Sequence, residues 1–92
     1  MTAGEDIAIR RKMMRYRAWH RGTREMDLVL GPFADAHIET LSLVDLDRLE
    51  RLMSEEDPEL LTWVMGQVTP PETVDRAFLD LLIADHKARV SK

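Results

Sequence analysis

Arg21-Gly22-Thr23-Arg24-Glu25 is the stretch on which the fold of this chain turns. A basic, periodic segment ends on it and a second periodic segment starts from it. Gly22 suits the residue just past a helix end, where φ > 0 carries no steric penalty. Thr23 suits the cap of the next helix, its hydroxyl accepting a backbone N–H of the first turn. Glu25 then falls in that turn, where the helix dipole favours a carboxylate. The reading is a tight corner carrying two guanidinium groups and a carboxylate on rigid backbone. Such a corner suits docking against a partner. A charged turn is also what a plain helix–helix connection places on a surface.

The helix before the corner is expected from Asp6, as N-cap, to His20. Ile9, Met13, Tyr16 and His20 recur at i, i+4, i+7 and i+11, which assigns them to one apolar face. Arg10, Arg11, Arg17 and Arg21 lie mostly off that stripe. After the corner, Met26, Leu30, Phe33 and His37 repeat the spacing, with Ile38 and Leu41 beside them. Gly31-Pro32 interrupts this second helix. Pro32 lacks the N–H that would bond to the Leu28 carbonyl, and an interior proline costs about 3 kcal/mol. A kink or break is expected there, held by a neighbouring helix and anchored by Phe33.

Three further helix starts are readable. Ser42 with Asp45 three residues on resembles a capping box, followed by an inward stripe of Leu46, Leu49, Leu52 and Met53. Asp57-Pro58-Glu59 reads as N-cap, proline and acidic first turn, with Leu60, Leu61, Val64 and Val68 inward, Trp63 and Met65 flanking, and Gly66 terminating. Thr69-Pro70-Pro71-Glu72 repeats that pattern before a last helix to about Arg89, its stripe being Val74, Ala77, Phe78, Leu81 and Leu82. No segment sustains a period of two. The fold class expected is all-α, a compact five-helix bundle. It forms one domain over residues 6–89, with tails at 1–5 and 90–92.

The corner is followed by Met26-Asp27-Leu28, then Gly31-Pro32-Phe33, then Asp57-Pro58-Glu59-Leu60 and Trp63. This order and spacing resembles the small assembly-factor family that promotes covalent attachment of FAD to the flavoprotein subunit of succinate dehydrogenase. The resemblance runs from about Ile9 to about Arg89. It implies a chaperone that binds that subunit and, in bacteria, the related fumarate reductase flavoprotein. Attachment of FAD to a client histidine is then largely self-catalysed, so the helper needs no catalytic residue and is not an enzyme. Arg21, Gly22 and Glu25 match the family's functional corner. Gly22 is implied to let client backbone approach closely. Arg21 is implied to pair with a client carboxylate, a carbonyl or a flavin phosphate. Glu25 is implied to orient Arg21 or accept a client donor. Arg24 and Asp27 stand behind these three as partner-binding candidates, and no pocket signature for a cofactor of the chain's own is present.

Trp19 joins them from its own setting, an aromatic beside His20 and Arg21. Packing against the second helix and serving as an interface anchor are both open to it. Trp63 is assigned to the core.

Charge supports a docking face. Residues 1–24 carry seven Lys/Arg against Glu5 and Asp6, a net +5, while residues 25–92 carry six against fifteen Asp/Glu, a net −9. Such asymmetry predicts a basic face that meets something acidic. A nucleic-acid-binding module using the basic helix, with Tyr16 and Trp19 interleaved, is the alternative function. The acidic remainder and the lack of a basic recognition helix after the corner argue against nucleic acid as a partner. A membrane-surface helix is ranked lower, because its apolar face is needed for the core.

Other chemistry finds little to stand on. There is no cysteine, so neither a thiol nucleophile nor a disulfide is available. Paired His20 and His37 could in principle hold a metal, but core-edge histidines are commoner, and no metal is expected. Glu55, Glu56, Asp57 and Glu59 lack the alternation of a calcium loop. The methionines read as core filler, with Met13-Met14 a candidate lining for a partner surface. No membrane span, secretory signal or presequence is read, and a cytoplasmic location without membrane insertion is expected.

Overall fold

The computed structural model describes residues 3–91, and the side chains of residues 6–91. Among the described residues five helices follow in order: α1 (Ala3–Trp19), α2 (Arg24–His37), α3 (Leu43–Met53), α4 (Asp57–Val64) and α5 (Arg76–Val90). The expected all-α five-helix bundle is the architecture formed. Helix α1 begins at Ala3 rather than Asp6, inside the segment read as a tail. Val90 belongs to α5. Met1, Thr2 and Lys92 of the two expected tails lie outside the described residues.

Helices α1 and α2 form an antiparallel hairpin, and α2 also meets α4 and α5. Arg11 near the start of α1 donates to the carbonyls of Ile38 and Leu41 past the end of α2, each at 2.9 Å. The buried face of α1 is not the one the spacing indicated. Met14 and Ala18 are buried, whereas Ile9, Met13 and Tyr16 are 46%, 59% and 63% exposed. Arg11, half-buried, shares the inward face, its head spent on the carbonyl of the α2 C-cap, Ile38, and on that of Leu41 beyond it.

Helix α2 runs through Pro32 without a break. Tertiary packing supplies what the proline withholds. Phe33 is buried and meets Phe78 of α5 edge-on, with 6.0 Å between ring centroids. The Pro32 carbonyl accepts from Arg89 at 3.1 Å. Helix α3 follows expectation: Ser42 Oγ accepts from the Asp45 N–H at 3.1 Å, and Leu46, Leu49, Leu52 and Met53 are buried.

Helix α4 buries Leu60, Trp63 and Val64, and Gly66, at φ 73°, ends it. Val68 and Met65 are exposed instead of inward or flanking. The last helix starts later than Thr69-Pro70-Pro71-Glu72 suggested. Its N-cap is Asp75, whose carboxylate accepts from the Phe78 N–H at 3.1 Å and from Arg48 Nε at 2.6 Å. The bond to Arg48 crosses from α3, so α5 starts where α3 can reach its cap. Inward positions are Phe78, Leu79 and Leu82, while Ala77 and Leu81 face outward.

Candidate functional site

The corner begins where two carboxylates take backbone donors away from α1. To continue the helix, the N–H groups of Arg21 and Gly22 would donate to the carbonyls of Arg17 and Ala18. Instead Arg21 N–H donates to Asp27 Oδ1 and Gly22 N–H to Asp57 Oδ2, both at 2.6 Å. A left-handed glycine is not the device: among the described residues the glycine with positive φ is Gly66, not Gly22. Thr23 caps α2 as expected, its hydroxyl accepting from the Met26 N–H at 3.3 Å.

Arg21 is turned inward across the α3–α4 connection. Its Nε donates to Asp57 Oδ1 at 2.8 Å, and Nη2 lies 2.7 Å from the same oxygen. Nη1 donates to the Met53 carbonyl at 2.7 Å and Nη2 to the Glu55 carbonyl at 3.1 Å. The Met53 carbonyl ends α3, where a cation is favoured by the helix dipole, and the Glu55 carbonyl lies in the turn just beyond. The two side chains are 13% and 9% exposed. Asp57 is therefore not the cap of its own helix. The N-cap position belongs to Glu56, which makes no side-chain cap bond, and Asp57 is the first residue of α4 with its carboxylate facing the corner.

Above this shielded pair the corner is open. Gly22, Arg24 and Glu25 are exposed, and Asp27 is half-buried beneath them. An open groove of about 530 Å³ lies beside Gly22, lined by Arg17, His20, Met53 and Pro58 together with Arg21 and Asp57 themselves. A Cβ on Gly22 would stand 3.2 Å from Asp57 Oδ2, closer than ordinary van der Waals contact. Trp19 is half-buried against α2, its Nε1–H donating to Asp35 Oδ1 at 3.1 Å.

The basic segment finds much of its acidic partner within the chain. Arg10 pairs with Asp47 at 2.6 Å and Glu50 at 3.4 Å, Arg17 with Glu50 at 2.9 Å, and Arg15 with Asp35 at 3.2 Å. The hydrogen bond to Asp47, assisted by Glu50, outweighs burial and raises the Arg10 pKa. Exposed pairs of this kind contribute about 0–1 kcal/mol each. Their consequence is for recognition: the charge asymmetry is largely an internal clamp between α1 and the helices after it.

The histidines are separated. His20 Nδ1 lies 2.7 Å from the Tyr16 carbonyl and its ring stacks on Tyr16 at 3.9 Å. His37, at the far end of the hairpin, meets Phe33 and sits 3.2 Å from Asp85 Oδ1. Among the described residues, no group of three or more His, Cys, Asp or Glu is arranged to hold a metal. Among the described residues, no helix is long and apolar enough to cross a membrane.

Comparison with known proteins gives the geometry its context. The family model described as flavinator of succinate dehydrogenase matches residues 12–86. An FAD assembly factor SdhE of Acetobacter pasteurianus is 33% identical over 96% of this chain and 81% of its own length. The SdhE of Pectobacterium atrosepticum is 31% identical over 78% of this chain and 82% of its own. A mitochondrial succinate dehydrogenase assembly factor 2 of Dictyostelium discoideum is 32% identical over 84% of this chain and 55% of its own. No solved structure matches the chain significantly.

Proposed function

The chain belongs to the flavinator family of succinate dehydrogenase, and from that premise we infer that it is an assembly factor promoting covalent FAD attachment to the flavoprotein subunit of that enzyme. The observation that carries the mechanism is the exposed rim formed by Gly22, Arg24 and Glu25 over a fixed base. In this reading the rim meets the flavoprotein, while Arg21, Asp27 and Trp19 hold its shape from behind. The helper supplies no reacting group. It selects client conformations in which the accepting histidine and the isoalloxazine ring face each other, which is a positioning effect. The chain is accordingly a chaperone and not an enzyme, and it acts in the cytoplasm. The related fumarate reductase flavoprotein is the second client this reading admits.

A nucleic-acid role has less support than the composition suggested. Arg10, Arg15 and Arg17 are tied to Asp47, Glu50 and Asp35, which leaves little of the phosphate-binding face that α1 offers on paper.

Binding of the purified chain to the purified apo flavoprotein subunit tests the reading. Size-exclusion chromatography with light scattering is expected to show a complex that Gly22→Glu abolishes. A Gly22→Glu variant that binds as the wild type does would contradict docking through the corner.

A further inference from the structure

We propose that Asp57 is a positioning residue for client docking, fixing the corner before the flavoprotein arrives. The inference rests on the docking reading above and adds to it a residue from a different helix.

Both oxygens of one carboxylate are spent on the corner. Oδ2 takes the Gly22 N–H and Oδ1 takes the Arg21 guanidinium, across 35 and 36 positions of chain. Asp57 leaves an ordinary task undone to do so. A carboxylate at a helix start usually caps that helix, yet α4 has no side-chain cap bond. The pair is shielded while Gly22, Arg24 and Glu25 beside it are exposed. This is a fixed base under a presented rim.

The residues between α1 and α2 need such a base. Only a short connection joins the two helices, and Gly22 gives it more backbone freedom than another residue would. Without Asp57 that freedom would have to be surrendered on binding, which weakens affinity without removing any client contact. Since its N–H is already taken by Asp57, Gly22 meets the client through its carbonyl and its lack of a side chain. With both oxygens committed to Arg21 and Gly22, Asp57 acts on docking through those two residues.

The test compares full-length variants by calorimetric titration with the apo flavoprotein subunit and by amide hydrogen exchange at Gly22. Asp57→Ala is expected to lower affinity at least about tenfold, to speed exchange at Gly22, and to leave far-UV circular dichroism unchanged. Asp57→Asn, which keeps an acceptor oxygen but not the charge, is expected to recover part of the loss. Adding Asp57→Ala to Arg21→Ala is expected to cost less than about twofold more, because the two residues act as one unit. Asp75→Ala is the stability control. It removes the α5 cap and the pair with Arg48, and is expected to lower the melting temperature with affinity kept within about twofold. The proposal is overturned if Asp57→Ala binds like the wild type while Gly22→Glu does not, an outcome that leaves docking intact. It is also overturned if Asp75→Ala loses affinity in the same proportion to its melting temperature as Asp57→Ala or Asp57→Asn does. Equal binding by Gly22→Glu and the wild type overturns the docking reading itself.

Discussion

The indole of Trp19 occupies the space where a side chain on Gly31 would stand. A Cβ built on Gly31 overlaps Cδ2, Cε2 and Cε3 of that ring, so α1 and α2 close on bare backbone. Two effects oppose each other in Gly31→Ala. Helix propensity favours alanine by about 1 kcal/mol, while overpacking costs about 1–3 kcal/mol. Overlap with a ring held by its bond to Asp35 puts the cost at the upper end, so the clash wins. The melting temperature is expected to fall by about 4–8 °C per net kcal/mol in a chain of this size. An unchanged or higher melting temperature would contradict this packing.

Adjacent methionines report which face of α1 is inside. Met14 is fully buried and Met13 is 59% exposed. Met14→Ala is expected to cost about 2–5 kcal/mol, and Met13→Ala to fall within about 0.5 kcal/mol of the wild type. Urea denaturation of both variants checks the difference. Equal losses would mean that α1 is rotated from the orientation described.

Arg21→Lys is expected to behave like a loss of the residue. The guanidinium fork reaches the Asp57 carboxylate and the carbonyls of Met53 and Glu55 at once. One ammonium on a flexible stem cannot hold all three. Hydrogen bonds of charged groups contribute about 1.5–3 kcal/mol each, so a stability loss of that order is expected in thermal melts. Wild-type stability of the lysine variant would show that the fork geometry is dispensable.

Acid should loosen α5 at two places, its cap against α3 and its contact with the end of α2. Arg48, and then the Phe78 N–H, hold the Asp75 carboxyl below its usual pKa. Burial raises the Asp85 pKa, but hydrogen bonds from Arg89 and His37 outweigh it and leave a net lowering. A lowered folded pKa means that the stabilisation is complete above the ordinary carboxylate value of about 3.9 and fades as pH falls through the folded value. The stability gap between the wild type and Asp75→Asn is therefore expected to be full near pH 7 and to shrink below about pH 4. Urea midpoints across that range measure it, and a gap that stays constant into strong acid would contradict the assignment.

Local signals were the legible part of this fold. Thr23 and Ser42 each cap the helix directly after them, so neighbours in sequence decide the outcome. Gly66 likewise ends α4 by its own φ. What misled were positions settled at long range. Helix α1 carries a continuous apolar stripe at Ile9, Met13 and Tyr16, yet the buried face is the one with Arg11 among Met14 and Ala18. Periodicity alone does not count the stem of an arginine as apolar. Asp57 looked like a cap because Asp-Pro-Glu ordinarily starts a helix, and its true partners are 35 and 36 residues away. At the corner, the exposure of Gly22, Arg24 and Glu25 agrees with what the motif suggested, while the inward turn of Arg21 had no sequence signal.

Covalent flavin on the client is the most direct measure of the central claim. The gene is deleted and restored as wild type or as Gly22→Glu, and the succinate dehydrogenase flavoprotein is examined by in-gel flavin fluorescence. The wild-type gene is expected to restore the fluorescent band. Gly22→Glu, well expressed and helical in solution, is expected to leave it absent, because a bulky carboxylate beside Asp57 fills the surface the client must approach. A full band with Gly22→Glu would show that the corner is not where this chain engages its client.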